Sequence, residues 1–233
     1  MRLHRFYIKE NIEKGKDVRI EDSELLHQWS KVFRLSAGDR AIVFNGNGKE
    51  FEGYFKVIAR KEAVLAIDKE NQREPTNIKH LEIFQSIIKK DNFELIVEKC
   101  TEIGVSAFHP IISERSEKKD LNIEILRKIA KEASEQSGKV YLPEIFEPIK
   151  LEKAMDDFNG ELFVLDFDAE NFSKTFEKFS APKIGILIGP EGGWTDKERE
   201  LFKLKNIKSF SLGSQVLRAE TAAIVASAVV LIK

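Results

Sequence analysis

The stretch IGILIGPEGGWTDKE, residues 184–198, decides how the chain is read. Ile184 to Ile188 is a short, fully apolar run of the kind needed by a strand buried on both faces. Gly189, Pro190, Glu191, Gly192, Gly193 and Trp194 break it. Thr195 and Glu198 then carry a helix-opening signature, a hydroxyl and a carboxylate three residues on that satisfy each other's backbone amides. Strand, glycine loop and helix in that order belong to an α/β domain with a mainly parallel sheet, in which ligands bind at the carboxyl ends of the strands.

Working outward, the same rhythm repeats. Leu81–Ile88, Phe108–Ile112, Leu162–Leu165 and Phe210–Leu212 read as further strands. Phe93, Ile96, Val97, Cys100 and Ile103 form one helical stripe, with Asp91 and Glu94 as its capping-box-like start and Gly104 as its stop. Leu126, Ile129, Ala130 and Ala133 mark a helix ending near Gly138, and Ala219–Ile232 is a closing apolar helix. Residues 1–70 read differently, as mostly β. Arg40–Phe44 is followed by the turn Asn45-Gly46-Asn47-Gly48. Phe51, Gly53 and Phe55 then share a face, Val64–Ile67 follows, and one helix spans Glu21–Val32. The expected organisation is a small β-barrel over 1–70, a polar linker over 71–77 and an α/β domain over 78–233.

The 233 residues carry 38 Lys+Arg against 39 Asp+Glu, a net charge of -1, and are 42% hydrophobic, which excludes a disordered or low-complexity chain. No apolar run reaches the ~18 residues of a membrane span, and the N-terminus lacks an apolar signal core, so a cytoplasmic location and no membrane partner are expected. One cysteine, Cys100, allows neither an internal disulfide nor a Cys-based metal site; it sits on an apolar helical stripe and reads as core rather than nucleophile. His4, His27, His80 and His109 lack metal-ligand spacing, so no metal is expected. GxGxxG, GxxxxGK[ST] and GxSxG are all missing, which argues against a dinucleotide, a phosphate loop and a serine elbow.

Two late loops remain. Gly189–Trp194 fits either a tight strand-to-helix turn or a backbone that must approach a ligand closely. The second, Leu212 to Ala222, enters an apolar helix through Arg218, Glu220 and Thr221, either as a salt-bridged cap or as groups facing a substrate. Two such loops after two late strands suggest one shared site. The N-terminal region is mildly basic, which fits a solvated mixed surface or a phosphate backbone.

IGPEGGW followed by SLGSQVLRAETA resembles the knotted SPOUT methyltransferases, and more narrowly the bacterial enzymes that methylate N3 of a uridine in 16S ribosomal RNA. TEIGVSAFHPIISERSE, EASEQSGKVYLPEI and HQWSKVFRLSAGDRAIVFNGNG extend the likeness over nearly the whole chain. The resemblance implies a SPOUT-type α/β knotted C-terminal domain with a small N-terminal PUA-like β-barrel, the chain from Gly189 onward forming the knot. It also implies a homodimer with the active site near its interface. S-adenosyl-L-methionine would lie against the loop after Leu165, against Ile188, Gly189, Pro190, Glu191, Gly192 and Gly193, and against Leu212, Gly213, Ser214, Val216, Leu217 and Thr221. RNA would meet Arg2, Arg5, Arg34, Arg115 and Lys139, with His4 beside them. Relatives often carry Arg at the positions of Gln215 and Lys139 and Phe at that of Trp194; Gln215 removes a charge next to the cofactor loop.

Uracil N3 is a poor nucleophile until it loses its proton, after which negative charge spreads over two carbonyl oxygens. Arg218 is the candidate stabiliser of that anion, and Glu220 either orients Arg218 or accepts the proton, the first being favoured. Trp194 reads as a buried contact ahead of a base-stacking one. The implied partner is small-subunit ribosomal RNA, free or in the 30S particle. Two other readings stand: a SPOUT enzyme with a different RNA target, such as a ribose 2′-hydroxyl, and a non-catalytic RNA-binding or ribosome-assembly protein.

Overall fold

A computed structural model describes residues 3–72, 80–116, 121–169 and 181–232. The chain divides into two compact units, Met1–Thr76 with Ser134–Leu142, and Asn77–Ala133 with Pro143–Lys233.

The first unit is a five-stranded sheet built from β1 (Arg5–Tyr7), β2 (Asp17–Ile20), β3 (Arg40–Phe44), β4 (Lys49–Ile58) and β5 (Ala63–Gln72) in the order β1-β3-β4-β5-β2. Its ladders are antiparallel except for β1 with β3. The alternating apolar positions of these strands turn inward, where Trp29 meets Phe6 and Phe55 edge-on in a core that Val43 and Leu65 complete. The helix expected over Glu21–Val32 is split. Asp22 caps α1 (Ser23–His27) through the amides of Glu24 and Leu25, and a π-helical turn over Gln28–Val32 follows. The wider turn ends at Arg34, whose φ of 54° is left-handed for a non-glycine residue. Asn71 and Gln72 of the expected linker end β5, and the rest of it lies outside the described residues.

Residues 134–142 belong with this unit. Glu135 accepts the amide of Tyr7, and the Gly138 carbonyl accepts from Arg5. The last glycine of the Asn45–Gly48 turn is required by its φ of 86°, and the Tyr141 hydroxyl lies over it, where a methyl group would displace the ring.

The second unit is a parallel sheet. Its elements are β6 (His80–Ser86), α2 (Lys90–Ile103), β7 (Ala107–Ile112), α3 (Ile123–Ser137, whose residues from Ser134 on count with the first unit), β8 (Glu144–Ile145), β9 (Ile149–Lys150), α4 (Leu151–Asp157), β10 (Glu161–Leu165), β11 (Lys183–Ile188), α5 (Asp196–Leu204), β12 (Lys208–Phe210) and α6 (Ala219–Leu231). The order is β12-β10-β11-β6-β7-β8, with β9 also on β7. β11 is buried on both faces: Ile184, Ile186 and Ile188 enter the core shared with α2 and α6, while Leu187 enters the core shared with Trp194 and Phe202. Period two thus explains its continuous apolar run.

Two expectations are corrected here. α2 begins at Lys90 and Lys89 at its N-cap makes no side-chain cap, so Asp91 and Glu94 form no capping box. The last strand lies two residues earlier than Phe210–Leu212, because Lys208 and Ser209 sit on a sheet edge, where solvent removes the need for apolar residues. β8, β9 and α4 had no counterpart in the sequence reading. His109 is structural: its ring is stacked between Phe84 and Phe146 at 4.1 and 4.2 Å.

Glu82 joins three strands, meeting His109 Nε2 at 2.7 Å and Lys183 Nζ at 2.9 Å. Burial pushes its carboxyl up, but the hydrogen bonds and charges of His109 and Lys183 outweigh this and hold it below the ordinary 4.5. A depressed folded-state value gives stability that is present above the unfolded value and lost as pH falls through the folded one. Glu82→Gln is therefore expected to cost about 1–3 kcal/mol near neutrality. The gap to the parent should narrow on acidification, read by urea unfolding at about pH 7 and about pH 3.5; an equal gap at both would show that the carboxylate adds no titrating stability.

Candidate active site

β10, β11 and β12 run parallel, so their carboxyl ends open on one edge of the sheet. There the loops after them enclose a cavity of about 330 Å³, within the range of small-molecule sites. Leu165, Ile188, Gly189, Pro190, Glu191 and Gly193 line it from the first two strands, and Leu212, Gly213, Val216 and Leu217 from the third. Gly192, Ser214 and Thr221, expected with them, are not in its wall.

The walls are held by specific bonds. The Trp194 indole N–H donates to the Leu165 carbonyl at 2.9 Å, tying the exit of β10 to the loop after β11. The ring packs edge-on against Phe202 with centroids 5.0 Å apart and is almost fully buried, which is the structural contact anticipated for it. A methyl group at Gly189 would lie 3.2 Å from this ring, so the glycine lets the strand leave beneath it. Gly193 closes the loop with φ 67° and a bond from its amide to the Pro190 carbonyl at 2.8 Å. The capping box is present as expected: Thr195 Oγ1 accepts from the Glu198 amide, and Glu198 accepts from the Thr195 amide at 2.8 Å.

Asp166 and Phe167, the loop expected after Leu165, are in the wall, as are Ala219 and Ala222 of the second loop; sequence reasoning missed Ser211 and Arg199. Arg199, one turn into α5, reaches Asp166 with two bonds of 2.8 and 3.0 Å. Position after a buried strand signalled Asp166; nothing local signalled Arg199, whose partner lies 33 residues away. Gln215, noted only as a family departure, also lines the cavity.

Arg218 occupies the N-cap of α6 without a side-chain cap and is 86% exposed at the cavity rim. Glu220 is the opposite, 10% exposed and outside the cavity wall, with Oε1 4.0 Å from Arg218 Nη1 and Oε2 without a hydrogen-bond partner among the described residues. Burial pushes the Cys100 thiol up to about 12, and its sulfur receives a 3.4 Å contact from Ser227, which fits a core residue and not a nucleophile.

The candidate RNA residues do not form one class. Arg34 is exposed, and so is Arg115, which donates to the Gly192 carbonyl at 2.7 Å. Arg5 is corrected: it is buried against Glu50, so its charge is already partnered. Lys139 is half-buried, and desolvation pulls its ammonium down to about 8. Arg2 lies outside the described residues.

A parallel sheet with glycine loops over a cavity at its strand ends, in a chain that also carries a small β unit, defines a SPOUT-type α/β enzyme with a PUA-like barrel. Residues 74–231 match the family model described as RNA methyltransferase domain, and residues 31–68 match the RNA methyltransferase PUA domain. The chain belongs to this RNA methyltransferase family. A Rickettsia conorii protein named ribosomal RNA small subunit methyltransferase E is 32% identical over 232 residues, spanning 98% of this chain and 95% of the relative. The crystal structure of the Neisseria gonorrhoeae enzyme of that name, bound to S-adenosyl methionine, superposes with a TM-score of 0.90 at 26% identity, covering 97% of this chain and 96% of that one. A Legionella pneumophila methyltransferase in complex with the same cofactor gives 0.89 at 25% identity, covering 99% and 97%.

If Trp194 holds the strand exits through its N–H, Trp194→Phe should cost about 0.5–1.5 kcal/mol and Trp194→Ala about 3–5 kcal/mol, measured by urea unfolding. A Phe variant as stable as the parent would remove the hydrogen bond from that role.

Proposed function

We propose that the chain transfers the methyl group of S-adenosyl-L-methionine to N3 of a uridine in small-subunit (16S) ribosomal RNA. The observation that carries this reading is the glycine-walled cavity at the strand ends, with an exposed arginine at its rim and a buried carboxylate beside it. The donor fits the residues present. The cavity offers apolar walls from Leu165, Ile188 and Leu212, with loop backbone at Gly189, Gly193 and Gly213 free of side chains. Family membership and the cofactor-bound neighbours support the same ligand.

Bound there, the donor supplies an electrophilic methyl group on a sulfonium. The chain's own residues do the rest. Loop backbone at Gly189, Pro190, Glu191 and Gly193 and at Leu212, Gly213, Val216 and Leu217 holds the donor, while Ser214 and Thr221 are exposed and lie outside the cavity wall. Phe167 and Val216 are large apolar residues exposed at the cavity mouth, a surface for a planar base taken out of its stack. Arg218 turns a fixed charge with several donors toward the oxygens that become negative when N3 loses its proton. Glu220 either orients Arg218 or takes that proton. Arg34 and Arg115 supply phosphate contacts. α6 buries Ala223, Ala226 and Val230 and leaves Ile224, Val225 and Ala228 half-exposed, which supports a homodimer across that face. No helix among the described residues is long and apolar enough to cross a membrane; the cytoplasmic site of action belongs to this proposal through its ribosomal RNA substrate.

The test incubates the chain with labelled S-adenosylmethionine and small subunits, or their RNA, lacking the modification, followed by nucleoside mass spectrometry. Label in 3-methyluridine is expected. Label in a ribose-methylated nucleoside would sink the N3 assignment and keep the cofactor, and absence of both label and donor binding would favour a non-catalytic RNA-binding protein. Arg218→Ala is expected to lower turnover by about 10²–10³-fold while leaving donor affinity within about twofold; equal losses in both would overturn its catalytic role.

A further inference from the structure

The loop after β7 grips the donor loop at two points. Glu114 donates its amide to Glu198 Oε1 at 3.0 Å, the same carboxylate that caps α5. One residue on, Arg115 donates from Nη1 to the Gly192 carbonyl at 2.7 Å, and its stem lies over the glycine, where a methyl group would come within 3.3 Å of Cδ. The gripping loop is itself locked: the Ser113 amide donates to Ser116 Oγ at 3.1 Å, and the two hydroxyls are 2.8 Å apart. A guanidinium has five N–H donors in a rigid fork. Only the bond to Gly192 is made among the described residues, and the side chain is exposed.

We infer that Arg115 is a positioning residue that couples RNA occupancy to donor binding, by bridging an RNA phosphate and the Gly192 carbonyl at once. This rests on the reading of the cavity as a donor site and of RNA as substrate. The free N–H groups face solvent and match a phosphate in the two-pronged geometry that arginine favours. A phosphate docked there fixes the fork, the fork fixes Gly192, and Gly192 lies between Glu191 and Gly193, both of which line the cavity. RNA thereby orders one wall of the donor site before the donor arrives. Linkage makes the effect mutual: whatever factor RNA gives to donor affinity, the donor gives to RNA affinity.

The experiment is calorimetric titration of the full chain with S-adenosylhomocysteine, a donor analogue that cannot react, with and without a saturating unmodified small-subunit ribosomal RNA transcript. In the parent, RNA is expected to tighten the analogue by about fivefold or more. Arg115→Ala should bring that ratio to about one, and Arg115→Lys should fall between, since an ammonium is a point charge without the fork. Gly192→Ala, which crowds the arginine stem without altering a charge, should also lower it. A purely structural role would weaken the analogue equally with and without RNA and leave the ratio unchanged; that result, or a ratio of one in a parent that binds both partners, overturns the coupling. A parent that binds no analogue at all overturns the donor-site reading and the coupling together, so the two failures are distinguishable.

Discussion

The bond from the Trp194 indole to the Leu165 carbonyl is the constraint on which the working edge of the parallel sheet depends. β10 and β11 stay in register up to Leu165 and Ile188, and beyond that pair the ladder offers no further bonds. Two chains leaving a sheet independently would each carry the conformational freedom of a loop, at about 1–2 kcal/mol per residue to order. The indole closes the gap with one bond and a buried ring. It can do so only because Gly189 leaves room beneath it and Gly193 adopts the left-handed turn that returns the chain to α5. The capping box then fixes the next element, so the loop is pinned at both ends while Gly192 between them is held only from outside, by Arg115. A rigid wall is what a methyl transfer needs, since the protein's contribution there is largely position.

The loop after β11 was legible in the sequence because its parts are local, whereas the bond that ties it to Leu165, 29 residues away, was not. An apolar run, a cluster of glycines and Thr195 with Glu198 lie within fifteen residues, and their chemistry acts on neighbours. The failures share the opposite property. The helix over Glu21–Val32 splits where Trp29 packs against Phe6 and Phe55, contacts from distant strands that helical spacing does not reveal. Arg5 looked like a surface cation because its partner, Glu50, comes from the strand after a distant turn. Lys139 looked the same because nothing local shows that Ser134–Leu142 folds with the N-terminal unit. Arg199 has no motif at all; Asp166 gives it a place. The SPOUT-type topology reached the reading through resemblance alone, since rules of chain connection argue against knots.

Arg218 and Glu220 show why a shared motif is not yet a shared geometry. Adjacent in the sequence pattern, they end with opposite exposures and 4.0 Å between their nearest charged atoms. An ion pair that long with one member in water contributes little, on the order of 0–1 kcal/mol. Glu220 therefore does not fix the fork of Arg218 in the free chain. What the pair provides is an asymmetry: an exposed cation at the rim, and a carboxylate whose Oε2 is buried without a partner among the described residues, in the first turn of α6. The helix N-terminus offsets part of the cost of that charge, but an unsatisfied buried oxygen still carries a desolvation penalty of about 1–3 kcal/mol. Arg218 lines the cavity and Glu220 does not, so of the two it is the exposed cation, and not the buried carboxylate, that stands where a ligand in the cavity can meet it.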